Sequence, residues 1–202
     1  MTTLPAPIDA LAESQRLITT LEQLRGELPI AEDMLALHRP THQELESSAS
    51  RSEQAVLVWR EALARRWESE IAGRRLYKRI VRQLAEHYGS EQAPEVQLFS
   101  RGGAEADSSP AELLADLRRL QAALSVGLAF ASERLPEVAQ ACMALERAIA
   151  EANLSETQRR VAVLDNRMAR EAYRRVRGET RRLLIEHYGD RMAHEFAGLL
   201  DQ

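Results

Sequence analysis

Two Glu-His pairs, Glu86-His87 and Glu186-His187, are the residues of this sequence that most suggest a metal site. In helical bundles that hold two metal ions, part of the ligand set comes from Glu-x-x-His, a spacing that puts both side chains on one helix face. Here Glu and His are adjacent, about 100° apart around a helix, and the chain contains no Glu-x-x-His. We therefore expect no metal ligand, and we interpret both histidines as helix-terminal residues that favour the negative end of the helix dipole.

Cys142, the single cysteine, is the other candidate for chemistry. It follows Ala141 on the apolar side of a predicted helix, where a small and inert core residue is the usual role. The sequence has neither a glycine-rich phosphate loop nor a nucleophile elbow. We therefore expect no catalytic residue and no cofactor, and we predict that the protein is not an enzyme.

Basic side chains are concentrated in two segments of the chain. Residues 60–82 contain eight basic residues against three acidic ones, and residues 159–182 contain nine against three. A basic helix face suits either an acidic protein surface or a phosphate backbone. The candidate partner-binding residues are Arg74, Arg75, Lys78, Arg79, Arg82, Arg174, Arg175 and Arg182.

The rest of the chain is rich in acidic residues, which could form ion pairs with these basic residues within the protein. Acidic side chains of the first and middle helices, among them Glu13, Glu22 and Glu32, are available to neutralise them. We expect most of the candidate residues to form such internal ion pairs, and unpaired residues would instead indicate a binding surface. The isoelectric point near 5.8 and the lack of interleaved aromatic residues disfavour a dedicated nucleic-acid binder.

An internal repeat organises the elements that position these residues. Ala72–Gly89 and Ala172–Gly189 align without a gap at an offset of 100, with 9 of 18 positions identical. The composition, rich in Ala and Leu without alternating Val and Ile runs, indicates an all-α protein. We predict tandem duplicated three-helix units whose long helices form a helical bundle. The predicted domains are an N-terminal helical repeat (1–100), a linker (101–109) and a C-terminal helical repeat (110–202).

The predicted helices are delimited by glycine, proline and serine. Each repeat ends in Glu-His-Tyr-Gly, which predicts a helix end with Gly89 and Gly189 in the left-handed conformation. Pro40 is expected to interrupt the first long segment, and whether residues 41–88 form one helix stays open. In the second half, Ser155 is expected to cap a new helix after a turn.

Apolar residues at helical spacing mark the faces expected in the core. In the first long segment, Trp59, Leu63 and Trp67 form one stripe, and Tyr77, Val81, Leu84 and Tyr88 form the next. In the second, the expected seam is Val161, Leu164, Met168, Ala172 and Val176. Stripes of this kind usually face a core.

The sequence favours a non-enzymatic helical structural or protein-interaction module, with a protein partner or self-association. The alternative is a nucleic-acid-associated protein that uses the arginines of its long helices. A single cysteine suits a reducing compartment, and the first residues lack the pattern of a signal peptide. No apolar stretch approaches the ~18 residues that span a bilayer, so we expect a cytoplasmic protein without membrane association.

Overall fold

The computed structural model describes residues 9–100, 109–125 and 131–200. These ranges contain five α-helices and one short 3₁₀ turn, and they contain no strand, which confirms the all-α prediction. The elements are α1 (Ala10–Gln23), the 3₁₀ turn (Leu24–Gly26), α2 (Ala31–Tyr88), α3 (Pro94–Ser100), α4 (Pro110–Leu124) and α5 (Ala131–Leu200). Nearly all of the predicted linker, residues 101–108, lies outside the described residues.

Capping side chains fix where the two short helices α1 and α4 begin. Asp9 accepts hydrogen bonds from the backbone N–H groups of Leu11 and Ala12, at 3.2 and 3.4 Å. Ser109 and Glu112 form a reciprocal capping box, in which the serine hydroxyl accepts from the Glu112 N–H and the carboxylate accepts from the Ser109 N–H. These bonds satisfy backbone donors that the first turn of a helix leaves without partners.

The long helix α2 runs through the positions that were expected to break it. Pro40 lies inside the helix, and residues 41–88 are continuous, so the predicted interruption is wrong. The segment around Ser48 stays helical although serine is a weak helix former, and the Ser48 hydroxyl donates to the Leu45 carbonyl of the same helix at 3.1 Å. Ser48 is also fully buried, so packing holds this segment against its weak helix propensity.

Helix α5 is likewise longer than the sequence predicts. The expected turn and cap at Ser155 are wrong, because Ser155 is a buried residue in mid-helix whose hydroxyl donates to the Ala152 carbonyl at 3.0 Å. The predicted left-handed glycines are confirmed, with φ of 81° at Gly89 and 75° at Gly189. Gly89 follows the last residue of α2. Gly189, with ψ of 167°, interrupts α5 before helical geometry resumes.

The chain forms two compact units that do not follow the two sequence halves. Unit 1 combines Met1–Val56 with Arg159–Gln202, and unit 2 is Leu57–Gln158. Unit 1 therefore contains α1, the beginning of α2 and the end of α5, and unit 2 contains the end of α2, α3, α4 and the beginning of α5. The predicted boundaries at residues 100 and 110 separate the two repeats seen in the sequence. That these repeats arose by duplication stays a prediction.

The core of unit 2 is built from the end of α2, from α3 and α4, and from the beginning of α5. Tyr77, Val81 and Leu84 are buried there as predicted. Helix α4 packs closely against α2 at Gly73, because a Cβ at this position would lie 3.2 Å from Cδ1 of Leu117. The core residues are Leu76, Tyr77, Ile80, Val81, Leu84, Val96, Leu113, Leu117, Leu120, Leu124, Ala131, Val138, Cys142 and Leu145.

Unit 1 has one larger and one smaller core cluster. The larger consists of Leu17, Ile18, Leu21, Leu28, Ile30, Ala31, Met34, Leu35 and Leu184. The smaller consists of Leu45, Ala169 and Tyr173. Apolar residues of α1 and the beginning of α2 thus pack against the end of α5.

A buried polar contact joins α2 to α5 within unit 1. The Nε2 atom of His38 lies 2.6 Å from the Thr180 hydroxyl, which donates its own proton to the Val176 carbonyl at 3.0 Å. When the hydroxyl hydrogen points to the Val176 carbonyl, the hydroxyl oxygen accepts from a neutral imidazole that carries its proton on Nε2. Burial lowers the pKa of His38 from 6.5 to about 4. The ring of Tyr173 packs edge-on against it.

Candidate partner-binding surfaces

The five candidate residues on α2 differ in their partners. Arg79 forms an ion pair with Glu137 of α5, and Arg74 is partly buried and takes part in a further interaction. Arg75, Lys78 and Arg82 are exposed. Among the residues that the structure describes, these three have no Asp or Glu within ion-pair distance.

The three candidate residues on α5, which belong to unit 1, are all exposed. Among the acidic side chains that the structure describes, none forms an ion pair with Arg174, Arg175 or Arg182. Arg170 and Arg181 are exposed and share this property, although the sequence-based list did not include them. Both lie in the predicted basic segment, so a count of every arginine in that segment would have found them.

Internal pairing was the expected role of these residues, and six of the eight do not show it. The acidic residues of α1 and early α2 pair with other arginines instead. Glu13 pairs with Arg177 at 2.9 Å, and Glu22 pairs with Arg39 at 2.8 Å. An ion pair forms only when the two side chains lie close together in space. The first helix contains many acidic residues, but they do not lie beside the candidate partner-binding residues.

The predicted core seam of α5 is wrong, because most of its residues are exposed and form part of the protein surface. Val161, Leu164 and Met168 are 54, 55 and 60% exposed, and Ala172 is also exposed. The buried line on this part of α5 is instead Ala169, Tyr173, Thr180 and Leu184. Val161, Leu164 and Met168, which we call the α5 apolar stripe, fall within an arc of about 60° on the helix.

The Trp59, Leu63 and Trp67 stripe of α2 is also not core. Trp59 and Leu63 are only partly buried, and Trp67 is 64% exposed. The buried residue on these turns is Ala62, at 2%. A small residue therefore faces the inside of unit 2 while a large aromatic residue faces outward.

Trp67 shares its helix face with exposed basic residues. At about 100° per residue, Leu57, Arg60, Trp67, Arg75, Lys78 and Arg82 lie within an arc of about 80°. We call these six residues the α2 basic-aromatic face. Leu57 is 52% exposed and Arg60 is exposed. None of the four basic residues pairs with a described carboxylate.

A second basic surface lies along α5 in unit 1. A shallow depression there is lined by Val163, Asn166, Arg167, Arg170, Glu171 and Arg174. Arg167 pairs with Glu171 at 3.3 Å. The depression is open and strongly basic on one side, and it lies on a different face of the helix from the α5 apolar stripe.

The residues first considered for chemistry do not form a cluster. Cys142 is buried in unit 2, and burial raises the pKa of its thiol, which disfavours the nucleophilic thiolate. His87 and His187 are exposed near the helix ends. Among the side chains that the structure describes, no group of three or more His, Cys, Asp or Glu is arranged to hold a metal ion. No helix, as far as its residues are described, has the length and apolarity to cross a bilayer.

Comparisons with protein families, with curated proteins and with solved structures found no significant match.

Proposed function

We propose that this protein is a non-enzymatic, cytoplasmic helical module that binds other proteins through its long helices. The observation that carries the proposal is the α5 apolar stripe, in which three large apolar side chains are each more than half exposed on one face. Exposed apolar residues that form a contiguous patch are typical of interaction sites, whereas isolated ones are ordinary.

The spacing of the stripe suits a helical partner. Val161, Leu164 and Met168 are separated by three and then four residues, the spacing by which one helix packs along another. Burying a side chain of this size contributes about 1.5–3 kcal/mol. Three such side chains give enough free energy to offset part of the entropy lost on association.

Cross-linking in the native cells tests this proposal. The triple variant V161S/L164S/M168S removes the stripe, and the double variant L98S/M143S removes two comparably exposed apolar side chains of unit 2. We expect a protein that cross-links to the wild type to be lost in the triple variant and retained in the double variant. If both variants keep the same cross-linked proteins, the stripe is not a binding site and the proposal fails.

The second candidate function is association with nucleic acid. It is favoured by the six candidate residues that have no described acidic partner. Binding to phosphates would weaken steeply as salt rises, because each neutralised phosphate releases counterions. A duplex titrated at several salt concentrations separates this function from protein binding, since contacts through the apolar stripe would change little.

We further propose that the two halves of the chain are tandem copies of one unit. The identical positions of the repeat support this, as does the positive φ of both glycines at its end. If the copies are equivalent, replacing Gly89 or Gly189 by valine should lower the free energy of unfolding by a similar amount.

A further inference from the structure

We infer that the α2 basic-aromatic face binds an acidic amphipathic helix of a partner protein. This face belongs to unit 2 and the α5 apolar stripe to unit 1. The inference goes beyond the proposed function, because it assigns a second surface and the chemistry of its partner. Each can therefore fail while the other stands.

The anchor of the face is Trp67. Its side chain is 64% exposed. Tryptophan is among the residues most enriched at the centres of protein interfaces, so an exposed tryptophan is a good candidate for a contact with a partner. Leu57, ten residues earlier, adds a second exposed apolar side chain on the same face. Together they give a partner helix two apolar contacts about 15 Å apart along the axis, from the rise of a helix.

Positive charge lies on this face about two helical turns before and after the anchor. Arg60 is seven residues before Trp67 and Arg75 is eight residues after it, and Lys78 and Arg82 follow Arg75 at intervals of three and four residues. All four are exposed, and none forms an ion pair with an acidic residue among those described. Their charge is available to an acidic partner without breaking an internal contact. Complementary charge of this kind raises the rate of association and selects between partners.

The charges and apolar side chains of this face fit an acidic protein helix better than a second copy of the chain or a nucleic acid. A second copy of the chain would bring the same four cations to the contact, and like charges across an interface are unfavourable. A phosphate backbone would use the cations but would leave Leu57 and Trp67 without an apolar partner. The net charge of the whole chain, −4, also repels an extended polyanion, whereas a short acidic helix touches only this face.

Binding of two synthetic helical peptides to the full-length protein tests the inference. Both peptides carry Leu at heptad positions a and d, and they carry either Glu or Lys at positions e and g. By fluorescence anisotropy at low salt, we expect the Glu peptide to bind at least about tenfold more tightly than the Lys peptide. The difference should shrink as salt screens the charges.

Three variants show which surface binds the peptides: two charge reversals, one of them a control on α5, and one substitution of the tryptophan. R75E/K78E/R82E should invert the preference between the peptides, and W67S should weaken binding of the Glu peptide. R170E/R174E/R181E reverses three exposed arginines of α5 and should leave the preference unchanged. Circular dichroism verifies that each variant keeps the helical content of the wild type.

Several results would overturn the inference. Equal affinity for the two peptides, or loss of the preference in the α5 control, would show that binding is not specific to the α2 face. Tighter binding of duplex DNA than of the Glu peptide would assign the face to nucleic acid. A dimer in sedimentation equilibrium that dissociates in W67S would assign it to a second copy of the chain.

Discussion

The buried histidine of unit 1 makes the stability of the protein depend on pH in a predictable direction. His38 is completely buried, and its pKa falls from 6.5 to about 4 on folding. The unfolded chain therefore binds a proton at a pH where the folded protein keeps the imidazole neutral. The resulting stability is fully present above the unfolded pKa, and it is lost as the pH falls from about 6.5 toward about 4.

The magnitude follows from the two pKa values. Each pH unit between them changes the free energy of unfolding by about 1.4 kcal/mol. Lowering the pH from about 7 to about 5 should therefore remove about 2 kcal/mol through His38 alone. The substitution His38→Gln tests this, because glutamine can donate to the Thr180 hydroxyl and does not titrate.

Urea denaturation of the wild type and of His38→Gln at both pH values gives the measurement. The difference between the two pH values should be smaller in the variant by about 2 kcal/mol. Leu164→Ala, which removes no titratable group, should keep the wild-type difference. If His38→Gln has the same pH dependence as the wild type, the buried neutral imidazole is not its cause, and the reasoning is refuted.

Three further predictions concern stability and can be measured by thermal or urea denaturation. Arg79→Glu should lower the free energy of unfolding by up to about 1 kcal/mol, because it breaks an ion pair with α5. Arg75→Glu, which has no such pair among the described residues, should leave it unchanged. Gly89→Val should cost about 1–2 kcal/mol, because φ is 81° there. Leu117→Ala should cost about 2–5 kcal/mol, whereas Leu164→Ala should change stability by less than about 0.5 kcal/mol, since only the first is buried. Equal effects of the two leucine substitutions would contradict the assignment of the core.

Local sequence signals predicted some features of the fold well. The left-handed glycines at 89 and 189 follow from Glu-His-Tyr-Gly, because the helix end and the residue that permits it are adjacent in the chain. The buried stripe of Tyr77, Val81 and Leu84 was also predicted correctly. In these cases the residues that decide the structure lie within a few turns of each other.

The helix breaks were wrong because tertiary packing outweighed local preference. Pro40 removes one backbone hydrogen bond, and serine is a weak helix former. The segments around Ser48 and Ser155 nevertheless continue as helix, because both serines are buried and their hydroxyls bond to the backbone of their own helix. Pro40 lies inside α2 at an exposed position. A single sequence does not show which side chains another helix will cover.

The same limitation applies to the candidate surfaces. Helix α5 has apolar residues on more than one face, and periodicity selected the line of Val161, Leu164 and Met168. The line that is buried contains Ala169, Tyr173 and Thr180, which are smaller or more polar, so hydropathy ranked it lower. The charge segments were recognised from composition. Which arginines find an acid depends on contacts between distant residues, such as Arg177 with Glu13.

The division of the chain into units has a consequence for how the protein is made. Unit 2 is one uninterrupted stretch, so every residue it needs has been synthesised once Gln158 is added. Unit 1 joins α1 and the beginning of α2 to the end of α5, and Leu184 must be synthesised before it can complete the core of Leu17, Leu21 and Leu35. Contacts between residues so far apart in sequence form slowly. The apolar faces of α1 and of the beginning of α2 therefore stay exposed on a growing chain until Leu184 has been synthesised, and chaperones and proteases compete for such exposed faces.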